Sequence, residues 1–136
     1  MTCSLFGHRY ISNSIETKLR EELINLITNN GCNLFYVGNN GEFDRVALRI
    51  LKELSDNYSI IYYVVLAYMN SGKGYEDISI YPEGLEFVNK RFAITSRNRW
   101  MVDNSDYVLC YVQYSGGAEQ ALKRARAKGK IIINIA

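Results

Sequence analysis

The chain has 136 residues, is 48% hydrophobic and carries a formal net charge of +2. That describes one globular domain with a single core, and the charge is too small for a histone-like or generally nucleic-acid-coating protein. The bias that exists is local: nine Lys and Arg lie between Lys90 and Lys130, against Asp103, Asp106 and Glu119.

In chain order, "TCSLF" near the start reads as a short buried strand. From Ile15 the apolar positions Leu19, Leu23, Ile24 and Ile27 recur at helical spacing until "NNG" at 29–31 stops the helix. "NLFYV" is the second strand; after "GNNG" comes a helix whose apolar face is Val46, Ala47, Ile50, Leu51 and Leu54. "SIIYYVVLAYM" at 59–69 reads as a third strand, apolar throughout, as a central parallel strand covered on both faces would be. A polar stretch from Asn70 to Gly84 is long for a strand-to-helix connection. A helical region is expected from about Leu85 to Val102, broken near Thr95; as a plain amphipathic helix it would put Phe92, Ile94, Trp100, Met101 and Val102 in the core and Arg91, Arg97 and Arg99 on a solvated face, a reading kept for Trp100 and Arg99. "DYVLCYV" is the fourth strand, "GGAEQALKRARAKG" the last helix with Gly129 as its stop, and "KIIINIA" the fifth strand. Strands alternating with helices predict an α/β, Rossmann-like three-layer fold with a mainly parallel five-stranded sheet, one domain over residues 1–136.

Cys3, Cys32 and Cys110 are odd in number, follow no CxxC spacing and lie in or beside apolar runs, as reduced core thiols of a cytoplasmic protein would. With one histidine there is no zinc ligand set, and no metal or cofactor is expected. The longest apolar run is far short of the roughly 20 residues that span a membrane, so no membrane association is expected.

In an open α/β sheet ligands bind beyond the carboxyl ends of the strands. Three of those loops carry glycine: Gly7-His8-Arg9, Gly38-Asn39-Asn40-Gly41 leading to Asp44, and Ser115-Gly116-Gly117 opening a helix. Glycine lets backbone N–H groups approach an anion, and the helix N-terminus behind it adds about half a positive charge. Two readings of His8 stand, a hydrogen-bonded loop residue or a ligand contact. On the helix before strand four, Arg97 and Asn98 are placed to face the same edge, where an arginine makes two-pronged bonds to phosphate or carboxylate. Asp103 and Asp106 read as structural caps or pairs.

The strings "FGHR", "YVGNNGEFD", "IYPEG", "RFAITSRNRWMVDNSDYVLCYV", "GGAEQAL" and "GKIIINIA" together resemble the SLOG superfamily, and within it the small YpsA-like proteins. The resemblance implies a Rossmann-like fold related to LOG-type nucleotide phosphoribohydrolases and to the transformation protein DprA. It implies binding of nucleotides or nucleotide-derived signals, in some relatives as sensors in antiphage defence. By position it implies ligand contacts from Gly7, His8, Arg9, Gly38, Gly41, Asp44, Arg97, Asn98, Gly116 and Gly117, with Gly7 making room for the ligand; Asn39, Ser115 and Glu119, beside these motifs, are further expected ligand contacts. The hydrolases' PGGxGTxxE pattern is incomplete: Ser115 replaces the proline, the second Gly-Thr is absent, and Lys123 falls where the glutamate belongs. Binding or sensing is therefore the expected function, with N-glycosidic hydrolysis using Glu119 or Asp44 as one alternative. Single-stranded DNA binding on the basic stretch Lys123 to Lys128 is another, weakened by the lack of an aromatic platform beside it. Eleven tyrosines on a small domain favour a two-fold dimer.

Overall fold

The computed structural model describes residues 1–12 and 14–136. Six strands, β1 (Thr2–Gly7), β2 (Leu34–Val37), β3 (Ile61–Val65), β4 (Ser79–Ile80), β5 (Tyr107–Tyr111) and β6 (Ile131–Asn134), form one sheet in the order β4-β3-β2-β1-β5-β6. Every pairing is parallel. Parallel neighbours require crossovers, supplied by the helices α1 (Ile15–Asn29), α2 (Glu42–Ser55), α3 (Ala93–Asp103) and α4 (Gly117–Ala127), and between β3 and β4 by 3-10 turns at Met69–Gly72 and Glu76–Ile78.

The side-chain alternation of the strands sorts the core into two layers. Cys3, Leu5, Phe35, Val37 and Leu109 pack on one face against Leu19, Leu23 and Leu26 of α1 and Phe43, Ala47, Ile50 and Leu51 of α2. Phe6, Tyr36, Val65, Val108 and Cys110 pack on the other against Met101 and Val102 of α3 and Ala121, Leu122 and Ala125 of α4. The three cysteines are free and buried, and burial pushes the Cys32 thiol up to about 11 and Cys110 to about 12, so they are unreactive packing groups. No helix among the described residues is long and apolar enough to cross a membrane.

The mainly parallel α/β architecture agrees with the sequence, and its details depart in three places. The sheet has six strands rather than five, because Ser79 and Ile80 in the polar stretch pair with Val64 and Val65. The third strand is shorter than its apolar run and lies next to an edge rather than at the centre; Ile61 is exposed there. The helix expected from Leu85 instead begins at Ala93, preceded by 3-10 turns at Leu85–Phe87 and Lys90–Phe92. Asn89 caps the second turn by accepting the Arg91 N–H, which ends one helical unit and starts another. Phe92, expected in the core, is 53% exposed, with the Arg91 guanidinium 5.1 Å from its ring centre.

The chain runs outward from β1 to β4, then returns to place β5 on the opposite side of β1. The strand order therefore reverses between β1 and β5. The loops leaving these two strands diverge there and open a crevice at the carboxyl edge of the sheet.

Candidate functional site

That crevice is a cavity of about 290 Å³. Ten of the residues singled out in the sequence line it: Gly7, His8 and Arg9 after β1, Gly38 and Asp44 after β2, Arg97 and Asn98 on α3, and Ser115, Gly116 and Gly117 before α4. Asn39 and Gly41 line an adjoining hollow. Glu119 lines neither; its carboxylate reaches along the helix to Lys123, 3.2 Å away, at the i,i+4 spacing.

Arg97 is the most constrained of these groups. Arg99 is exposed, as expected of a solvated α3 face, whereas Arg97, set apart in the sequence as facing the site edge, is 3% exposed. Its Nη1 donates to the Val65 carbonyl at 3.0 Å and its Nε to Asn98 Oδ1 at 2.8 Å, so Asn98 aims the guanidinium. No carboxylate among the described residues lies within ion-pair distance of it. Burial lowers its pKa, and the nearby Asp44 opposes that shift. Both side chains converge on Gly38: a Cβ there would stand 2.8 Å from Arg97 Nη1 and 2.9 Å from Asp44 Oδ2. Glycine is required by this contact, whatever the backbone angles. Asp44 Oδ2 accepts the Asn40 N–H at 2.9 Å. Burial pushes the Asp44 carboxyl up, while the Asn40 N–H and the Arg97 charge pull it back.

At the other wall, α4 begins without a side-chain cap, so the N–H groups of its first turn are free toward the cavity mouth. Gly116 has φ +155°, a conformation that side chains rarely adopt, and this sets the angle at which the loop enters the helix. Gly117 has no positive φ, and a Cβ on it would meet nothing within 4 Å. Free helix donors thus stand across the cavity from a buried guanidinium that no carboxylate among the described residues pairs at ion-pair distance, an arrangement that can receive an anion.

The Gly7-His8-Arg9 trio divides its work in a way that the sequence did not foretell. A Cβ on Gly7 would fall 2.1 Å from the Phe43 ring, so this glycine makes room for a core side chain rather than for a ligand. His8 is 5% exposed; its Nε2 accepts the Gln113 N–H at 2.8 Å and the Tyr114 N–H at 3.4 Å. An accepting Nε2 places the neutral ring's proton on Nδ1. The ring stacks on Tyr114 with centroids 3.6 Å apart, bracing the loop that carries Ser115 to Gly117. Arg9 is exposed at the mouth, and its backbone lies where a Cβ on Gly41 would be, 2.7 Å from the Arg9 Cα.

Tyr10 and Tyr114 line the cavity and are 73% and 54% exposed. The sequence reading passed over both, although each adjoins a glycine motif, and adjacency was the available signal. Asp103 and Asp106 are structural as expected: Asp103 holds Arg124 through two bonds, and Asp106 Oδ2 accepts the Thr2 N–H.

No family model and no curated protein matches the chain. Among solved structures, the fold is similar to that of DNA processing protein A (DprA) from Streptococcus pneumoniae, with a TM-score of 0.72 and 16% identity, over 96% of this chain and 48% of that one. It is also similar to DNA processing protein A from Helicobacter pylori, a structure describing a single-stranded DNA binding mode, with a TM-score of 0.68 and 16% identity, over 97% of this chain and 63% of that one. The likeness is one of fold, and the chain spans between about half and under two thirds of those proteins.

Proposed function

We propose that this protein binds a nucleotide or nucleotide-derived small molecule at the carboxyl edge of its sheet, with phosphate seated between Arg97 and the first turn of α4. The observation that carries the proposal is the buried Arg97 guanidinium, which lines the cavity without a carboxylate at ion-pair distance among the described residues. Burying a charge without a partner is costly, and a bound anion removes that cost. Micromolar affinity needs about 8 kcal/mol, and bonds to charged groups contribute about 1.5–3 kcal/mol each, so the contacts suffice without chemistry. Membership of the YpsA-like branch of the SLOG superfamily is part of this reading; the Arg91–Tyr111 string and the DprA-like fold support it.

Thermal-shift screening against nucleotides tests the proposal. A ligand at 100 times its dissociation constant stabilises the fold by about 2.7 kcal/mol, and a panel in which no phosphate-bearing nucleotide raises the melting temperature contradicts it. Release of free base during incubation reassigns the site to N-glycosidic hydrolysis, with Asp44 the one carboxylate lining the cavity among the described residues.

Single-stranded DNA is the second reading. The exposed Tyr10 and Tyr114 favour it as stacking surfaces beside the anion site, as does the fold shared with the H. pylori protein. The basic stretch of α4 is a poorer platform, since Lys123 pairs with Glu119 and Arg124 with Asp103.

A further inference from the structure

The cavity continues past Gly38 into a second hollow of about 420 Å³. The two spaces share Arg9, Tyr10, Gly38 and Asp44, and the second adds Arg45, Leu48 and Tyr75 to its walls. Hydrogen-bonding capacity is sorted along this channel. At the α4 end stand donors: the first-turn N–H groups, and the Arg97 guanidinium, whose Nη2 has no acceptor among the described residues while Nη1 and Nε are held by Val65 and Asn98. At the junction stand acceptors without donors. Asp44 Oδ1 has no protein partner among the described residues, since the Asn40 N–H is held by Oδ2. On either side of the junction, Asn40 in the wall of the first cavity and Asn39 in that of the second hollow have buried side-chain oxygens without partners among the described residues, and the Asn39 amide nitrogen is committed to the Ser71 carbonyl.

A carboxylate repels phosphate and accepts from hydroxyls, so the group that belongs at the junction carries O–H donors. A ribose offers two adjacent ones. Beyond it, Tyr10, Leu48 and Tyr75 provide aromatic and apolar walls for a flat ring. Building on the nucleotide reading above, we propose that the junction is a ribose subsite in which Asp44 accepts the sugar hydroxyls, and that the second hollow seats the base. The ligand is then a ribonucleotide in preference to a deoxyribonucleotide.

Isothermal titration of the whole chain with ribonucleoside 5′-monophosphates, their 2′-deoxy counterparts and inorganic phosphate tests this. The expected result is a ribonucleotide bound about tenfold or more tightly than its deoxy counterpart, because a site built around a hydroxyl is left with an unpaired buried acceptor when the hydroxyl is missing. Asp44→Asn, which keeps an acceptor for the Asn40 N–H, should narrow that gap to about threefold. Tyr75→Ala should weaken both series equally, which separates base from sugar contacts and does not depend on the folding of the Asp44 variant. Equal binding of the two series by the unaltered protein, or tighter binding of a deoxynucleotide or a DNA oligonucleotide, overturns the ribose subsite and leaves nucleotide binding standing. Absence of binding in both series overturns the nucleotide reading itself.

Discussion

Arg97 and His8 show how one residue can be visible in a sequence while its task is not. Both were picked out by position, yet an arginine among three on a helix gives no sign that it alone is 3% exposed, because that depends on where α3 meets β3. Arg97→Met should weaken nucleotide binding by about 1.5–3 kcal/mol, measured by titration calorimetry. It should leave the thermal midpoint nearly unchanged, since the lost bond to the Val65 carbonyl is offset by relief of an unpaired buried charge. His8 offers a pH test. Burial lowers its pKa from 6.5, so the unfolded chain binds the proton more readily than the folded one. Its contribution to stability is complete above pH 6.5 and is lost as the pH falls through the lower folded value. His8→Gln removes that titration. Urea midpoints of the two proteins, compared at about pH 7.5 and about pH 5, should therefore converge as the pH falls; a gap independent of pH contradicts the neutral acceptor role of His8.

Among the elements, the parallel strands were legible because buried strands are apolar runs bounded by glycine and polar turns, as "NLFYV" and "DYVLCYV" are. β4 was not, since two residues inside a polar stretch carry no period and are fixed only by the neighbouring β3. The start of α3 was misplaced because Asn89 interrupts a helical pattern with a cap, a local bond that apolar spacing does not report. The glycine loops of the candidate site were legible as loops, and their clearances were not. Gly7→Ala should destabilise the fold by about 1–3 kcal/mol or more, because its Cβ falls on the Phe43 ring where β1 meets α2. Circular dichroism melting checks it, and an unchanged midpoint would show that Phe43 moves aside freely. Gly116→Ala should also lower stability, by about 1–3 kcal/mol of backbone strain, since it must hold φ +155° at the entry to α4.

For the whole molecule, the topology brings residues 7 to 9, 38 to 44, 97 to 98 and 115 to 117 to one edge, and the return of the chain from β4 to β5 is what does so. Alternating strands and helices made that edge predictable. The channel beyond it, walled by Tyr75 from the polar stretch, was hidden because its residues meet only in the folded chain. The central claim, that an anion sits on the first turn of α4 opposite Arg97, is tested most directly by titrating a nucleotide that binds the unaltered protein into Gly117→Val. Valine at this position has open space and no positive φ to strain, so the variant should keep its circular dichroism spectrum. Its branched side chain should nonetheless block the free N–H groups and abolish binding. A folded Gly117→Val protein that binds the same nucleotide with unchanged affinity would contradict the claim.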